Sequence, residues 1–192
     1  REEIDQVGKE LPSDRAPRPD GSSGSFIKSC CHIIKEDFYR LCFDFHAGNL
    51  DLESLNTSFI TLIPKTQSLE TANDYRPITL LDCCLKLVTK LLVNRLQHVI
   101  LKIIHHNQYG FLRGRSIQDC VAWVYEFIHQ CQNTRREIAI LKLDFAKASD
   151  TIEHAPMMQI MECMGFDSRW LGWIHCLFAT AKSLIPLNGT PG

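Results

Sequence analysis

The run Ile138-Ala-Ile-Leu-Lys-Leu-Asp144-Phe-Ala-Lys-Ala-Ser149-Asp150 restricts the folds open to this chain more than any other stretch. Ala139, Leu141, Leu143 and Phe145 alternate onto one face and Lys142 and Asp144 onto the other, the period of a buried strand that carries a carboxylate to its end. A carboxylate at a strand terminus suits a hard divalent cation and the phosphates such an ion holds. The plainer reading is an Asp that ends a strand or starts a turn. Lys142, Lys147 and a basic stretch upstream favour the phosphate reading. One carboxylate does not complete two-metal phosphoryl transfer, which needs further acidic ligands. Asp150 lies past the strand in Ser149-Asp150-Thr151, where a turn or capping role is expected.

With 192 residues the chain can bury one good core, as a single domain or two subdomains. It opens on Arg1 and closes on a Gly/Pro turn, so both ends are expected to be cut from something longer. No run approaches the ~18 apolar residues of a membrane helix, and the N-terminus lacks a signal-like apolar core. A protein inside the cell, in nucleus or cytoplasm and not secreted, is the expectation. The nine cysteines are odd in number and form no C-x-x-C pair, which points to reduced packing residues rather than disulfides or zinc. His105-His106 has no metal-ligand partner at a suitable spacing, and His154 reads as a surface or core-edge residue.

A net charge of −1 conceals an asymmetry. Residues 1–57 carry 7 basic and 11 acidic side chains, whereas Arg76, Lys86, Lys90, Arg95, Lys102, Arg113 and Arg115 face only Asp82 across 76–115. Such a block fits a surface that meets a polyanion. Solvated faces of one helix would explain Lys86, Lys90 and Lys102 as well, but not Arg76, Arg113 and Arg115 in turn-like sequence.

Residues 12–25 hold three Pro, two Gly and four Ser and read as a loop. Ile27, Ile34, Phe38, Leu41 and Phe45 recur at helical spacing, with Gly48 as the stop. Ser58–Ile63 and Arg76–Leu81 read as two extended segments. Lys65 and Arg76 flank the gap between them, as a hairpin with cations at its open end would require. A helix is expected over 83–103, then a glycine-punctuated link through Gly110 and Gly114, and a helix capped by Ser116. Gly110, Gly114 and Arg115 permit close approach to phosphate, but the link lacks the lysine-hydroxyl ending of a P-loop. Pro156 opens a helix that stops at Gly165, Ser168 or Asp167 caps another, and Ser183–Leu187 returns as an edge strand. The class is α+β and helix-rich.

Together these segments resemble the reverse transcriptase of non-LTR (LINE-type) retrotransposons. The resemblance rests on Ala16-Pro-Arg-Pro-Asp-Gly21, Ser58–Lys65, Asp74–Leu81, Asn107–Asp119, Leu141–Asp150 and Leu187–Gly192, in the family's order. It implies helix-rich fingers plus an incomplete palm of a right-hand polymerase: a template-loop region at 1–25, fingers at 26–135 and partial palm at 136–192. It implies Asp144 as ligand of a catalytic Mg²⁺ and Phe145 beside the second metal or the triphosphate. Lys65 and Arg76 would grip the incoming dNTP, and Arg113 and Arg115 nucleotide or template phosphates. RNA template and DNA primer are the implied partners, with no membrane and no specific protein partner.

Three departures qualify this. Ser149 stands where the family has an aromatic that floors the sugar pocket, which implies looser selection of deoxy- over ribonucleotides. Arg18 replaces a glycine of the template loop. The aromatic-x-Asp-Asp hairpin and the thumb are absent, so catalysis by these 192 residues alone is not expected. The alternative is a degenerate retroelement remnant with at most salt-sensitive nucleic-acid binding.

Overall fold

The chain is seen in a computed structural model that describes residues 1–11, 23–67, 71–145, 151–187 and 190–191. In order these form α1 (Glu2–Glu10), α2 (Gly24–Ala47), α3 (Leu52–Leu55), β1 (Thr57–Pro64), a 3₁₀ turn (Ala72–Asp74), β2 (Tyr75–Leu80), α4 (Cys83–Ile103), α5 (Ile117–Asn133), α6 (His154–Cys163), α7 (Ser168–Ala179), β3 (Lys182–Leu184), β4 (Pro186–Leu187) and β5 (Thr190–Pro191). The expected α+β, helix-rich class is observed. The Ala16–Gly21 loop with Arg18, and Lys147, Ser149 and Asp150, lie outside the described residues. Packing divides the chain into one unit of 1–92 with 165–192 and another of 93–164.

The first unit is built around the start of α4. Cys83, Leu87 and Leu91 fall on one side of that helix at i, i+4, i+8, and Leu85, Val88 and Leu92 on the opposite side. Each side has its own cluster. Cys83, Leu87 and Leu91 pack with Ile4, Val7 and Leu11 of the α1 region and Ile27, Tyr39 and Cys42 of α2. Leu85, Val88 and Leu92 pack with Phe45, Leu52 and the α7 residues Trp170, Trp173, Ile174 and Leu177. A helix buried on two sides needs two apolar stripes, which Cys83–Leu92 supplies, leaving Lys86, Thr89 and Lys90 on a third, polar stripe. Helix α1, which the sequence reading passed over, closes the first cluster. Gly48 ends α2 at φ 79, the left-handed cap that only glycine takes without cost.

The three-stranded sheet has the order β2-β1-β3. β1 and β2 form the expected hairpin, antiparallel from Phe59↔Leu80 to Pro64↔Tyr75. The segment expected as one strand over Ser183–Leu187 is divided. β3 runs parallel to β1, and beyond Ile185 β4 pairs instead with β5. Pro186 has no N–H to donate, so it cannot extend the β1 ladder. Buried Asn56 and Ser58 stitch the returning segment in place. Asn56 Nδ2 donates to the Leu177 carbonyl at 2.7 Å and Thr180 Oγ1 at 2.9 Å, and Ser58 Oγ to the Lys182 carbonyl at 3.1 Å.

Tyr39 ties α2 to α1 through a polar contact: its hydroxyl donates to Asp5 Oδ1 at 2.5 Å. That hydrogen bond, then burial and the nearby Asp5 and Glu36 charges, push the phenol from 10.0 up to about 12, with Arg1 opposing. The folded state thus holds the proton more tightly than the unfolded chain. The contribution is whole below pH 10 and is lost as pH rises toward 12. Alkaline titration followed by tyrosinate absorbance should show one late-titrating phenol in the wild type. In Asp5→Asn it should move back toward its ordinary range. An unshifted phenol in the wild type would remove this contact from the account.

In the second unit α5 starts at the expected Ser116, whose Oγ accepts from Gln118 N at 3.2 Å. Helix α6 contains Pro156 in its first turn and is followed by Gly165 at φ 87. The strand expected to end on Asp144 is not formed. Residues 136–145 carry no regular structure, and Ile138, Ile140, Leu141, Leu143 and Phe145 are exposed. Alternation gives a segment two faces but no partner, and no strand among the described residues pairs with it.

Candidate nucleotide and nucleic-acid interface

The sequence candidates fall on three local structures. Lys65 and Arg76 flank the connection at the closed end of the β1–β2 hairpin, not the open end that the sequence suggested, because the ladder closes at Pro64↔Tyr75. Lys65 N donates to the Asp74 carbonyl at 2.7 Å, and its Nζ to the Asn73 carbonyl at 2.6 Å. The connection is held by a capping box in which Thr71 and Asp74 satisfy each other's backbone groups. Arg76 lies opposite Ile63 in the ladder. It is exposed, and its side chain makes no hydrogen bond or ion pair among the described residues. One cation is braced within the hairpin's connection and one is exposed beside it, which is chemistry suited to an anion.

The second structure is the link from α4 to α5. Arg115 Nη1 donates to the carbonyls of His105 and Gln108, each at 2.7 Å, and Nη2 to that of Ile104 at 3.4 Å. These lie at and just beyond the end of α4, where carbonyls lack helical partners and a cation is favoured. Arg115 therefore clips the link shut. Arg113 is more exposed: its Nη2 donates to Asn94 Oδ1 at 3.3 Å, and its backbone N to Gln97 Oε1 at 3.2 Å. Asn94 and Gln97 were not picked out from sequence. Their signal was an uncharged amide pair at i, i+3 on a helix whose other polar residues are mostly basic. Arg115→Ala should cost about 1–2 kcal/mol, as hydrogen bonds from a partly exposed charged group are lost. Amide exchange should accelerate across 104–116 and not in α2; unchanged exchange there would show that the clip is idle.

The third is the segment around Asp144. Asp144 and Phe145 are exposed, and Asp144 makes no hydrogen bond or ion pair among the described residues. Among those residues, the group of three side chains close enough to share an ion is Asp82, Cys83 and Cys84. Two thiols suit a soft ion, not Mg²⁺. Asp82 Oδ1 there accepts from Cys84 N at 2.7 Å, capping α4. The described residues thus do not assemble an Mg²⁺ site around Asp144. Asp144, Phe145, Arg113 and Arg115 belong to one packing unit and Lys65 and Arg76 to the other.

The family model described as reverse transcriptase (RNA-dependent DNA polymerase) matches residues 63–191, from the end of β1 to β5. The chain belongs to the reverse transcriptase family. It is 28% identical over 188 residues to an uncharacterized 149 kDa protein of transposon TX1 from Xenopus laevis, covering 97% of this chain and 14% of that protein. It is 29% identical over 109 residues to the retrovirus-related Pol polyprotein from type-1 retrotransposable element R2 of Popillia japonica, covering 56% of this chain and 15% of that one. The non-LTR retrotransposon assignment made from the motifs is thereby supported. This reverse transcriptase segment spans about one seventh of the length of the relatives it matches. No helix among its described residues is long and apolar enough to cross a membrane.

Proposed function

We propose that the chain is the part of an RNA-directed DNA polymerase that grips nucleotide and nucleic acid: fingers over 26–135, the first part of a right-hand palm over 136–192, and a template-loop region at 1–25. In this reading Lys65 and Arg76 hold the triphosphate of an incoming dNTP, Arg113 and Arg115 meet phosphates, and Phe145 and Ser149 border the nucleotide. Asp144 is one ligand of a catalytic Mg²⁺ whose other ligands these residues do not supply, so the 192 residues bind without turning over. The protein works inside the cell, in nucleus or cytoplasm, on an RNA template and a DNA primer. The observation that carries this is the family match, which runs from the cationic hairpin through Asp144.

The test is binding of a labelled RNA template–DNA primer by the 192-residue chain as salt is raised. Three or four phosphate contacts on this duplex predict a loss of roughly 40- to 150-fold between 50 and 200 mM salt. Binding that ignores salt, or none at all, would sink the reading. A second reading, a retroelement remnant that binds but belongs to no working polymerase, is favoured by the unpaired, exposed 138–145 segment. Primer extension by this chain joined to an intact remaining palm separates the two. Incorporation supports the first reading, and none supports the remnant.

A further inference from the structure

The link between α4 and α5 presents one side chain that the reading above does not use. Phe111 is fully exposed and holds φ 63, the left-handed region that costs a bulky side chain energy. A phenyl ring in water on a strained backbone is doubly unfavourable, and the link is built to keep it there. Gln97 Nε2 donates to the Phe111 carbonyl at 3.5 Å while Gln97 Oε1 accepts from Arg113 N at 3.2 Å, so one side chain brackets the ring's attachment. Arg115 clamps the base of the link, and Gly114 at φ 82 turns the chain back. Arg113 stands two residues away, and no Asp or Glu occurs between Asp82 and Asp119.

We infer that Phe111 is a stacking platform for an unpaired nucleobase, with Arg113 meeting a neighbouring phosphate. A base offers a flat π face that an isolated ring can cover without hydrogen-bond complementarity. An aliphatic peptide side chain would need a pocket, and a ring standing clear of its neighbours offers none. The acid-free stretch of sequence on either side of it suits a polyanion. This rests on the nucleic-acid reading and sharpens it: the contact is to a base of a single strand, not only to the backbone.

The experiment compares wild type, Phe111→Ala, Phe111→Trp, Phe111→Gly and Arg113→Ala as full chains. The probes are a single-stranded RNA of about 12 nucleotides and an abasic strand of equal length, read by fluorescence anisotropy. Phe111→Ala should weaken RNA binding about tenfold, within the range for one stacked base, and leave abasic binding and the salt slope unchanged. Phe111→Trp should retain binding. Phe111→Gly should bind as poorly as the alanine variant while melting no lower, since glycine relieves the left-handed backbone. Arg113→Ala should weaken both probes and lower the salt slope by about one contact. If Phe111→Ala affects both probes equally or neither, stacking is wrong although nucleic-acid binding stands. If Phe111→Ala only changes self-association, the ring meets protein and the inference fails. If wild type binds neither probe, the nucleic-acid reading falls first and takes this with it.

Discussion

Asn56→Asp should lower the stability of the first unit by about 3 kcal/mol at neutral pH, because it places an anion where two donors stood. The amide nitrogen serves the Leu177 carbonyl and Thr180 Oγ1. A carboxylate would face that carbonyl as acceptor against acceptor. The Thr180 hydroxyl offers little relief, since it already donates to the Cys176 carbonyl at 2.8 Å. The backbone bond from Lys182 N to the Asn56 carbonyl survives the substitution, so the damage is confined to the side chain. Urea unfolding followed by tryptophan fluorescence is the natural assay, because Trp170 and Trp173 lie on α7 beside these acceptors. Burial raises the folded-state pKa of the new carboxyl above its unfolded value. Below that raised value the neutral acid regains a donor, so the penalty should shrink on acidification. A penalty that ignores pH would mean that α7 is not held through this side chain.

Val7→Asp should be costlier still, about 4 kcal/mol, since it buries an unpaired charge at a completely buried position. Val7→Ala should cost about 2 kcal/mol, the loss of two methyl groups plus a partly unfilled cavity. The comparison that decides the matter is Lys90→Ala. Lys90 reaches Glu10 at 3.7 Å, a partly exposed pair between α4 and the end of α1, and its removal should change stability by less than about 1 kcal/mol. If Lys90→Ala proves as damaging as Val7→Asp, the attachment of α1 is ionic and not apolar. A Val7→Asp chain with an unchanged unfolding midpoint would place α1 outside the core.

The contrast between α1 and α4 marks where sequence reasoning succeeds. Helix α4 announces itself through apolar residues in nearly every turn, and α2 through its spacing and Gly48, because both signals are local. Helix α1 has few apolar residues in a charged stretch. Ile4, Val7 and Leu11 do keep helical spacing, but only the distant faces of α2 and α4 make them a core. The caps at Ser116 and Asp167 were legible for the same reason as α4: a side chain satisfies an N–H two or three residues on. Strands reverse the outcome. The β1–β2 hairpin joins neighbouring segments and was readable. The alternation over 138–145 is genuine in sequence, yet a ladder needs a second strand that those residues do not specify. At the candidate site, residue type and order exposed the cations Lys65, Arg76, Arg113 and Arg115. They did not reveal that Arg115 binds main-chain carbonyls, or that Phe111 stands clear in the left-handed region, since both depend on the path of the link.

The parallel pairing of β1 with β3 joins residues far apart in the chain: Ser58 and Lys182 are 124 positions apart. On a ribosome adding roughly 5–20 residues per second, β1 would wait about 6–25 s for that neighbour. Through that interval Asn56 lacks the acceptors on α7, and one edge of β1 stands open. Synthesis of this chain thus has a built-in window of vulnerability, which closes only when α7 and β3 emerge. A chaperone that binds extended segments has its opportunity there, and an early stop codon before Lys182 would leave the window open for good.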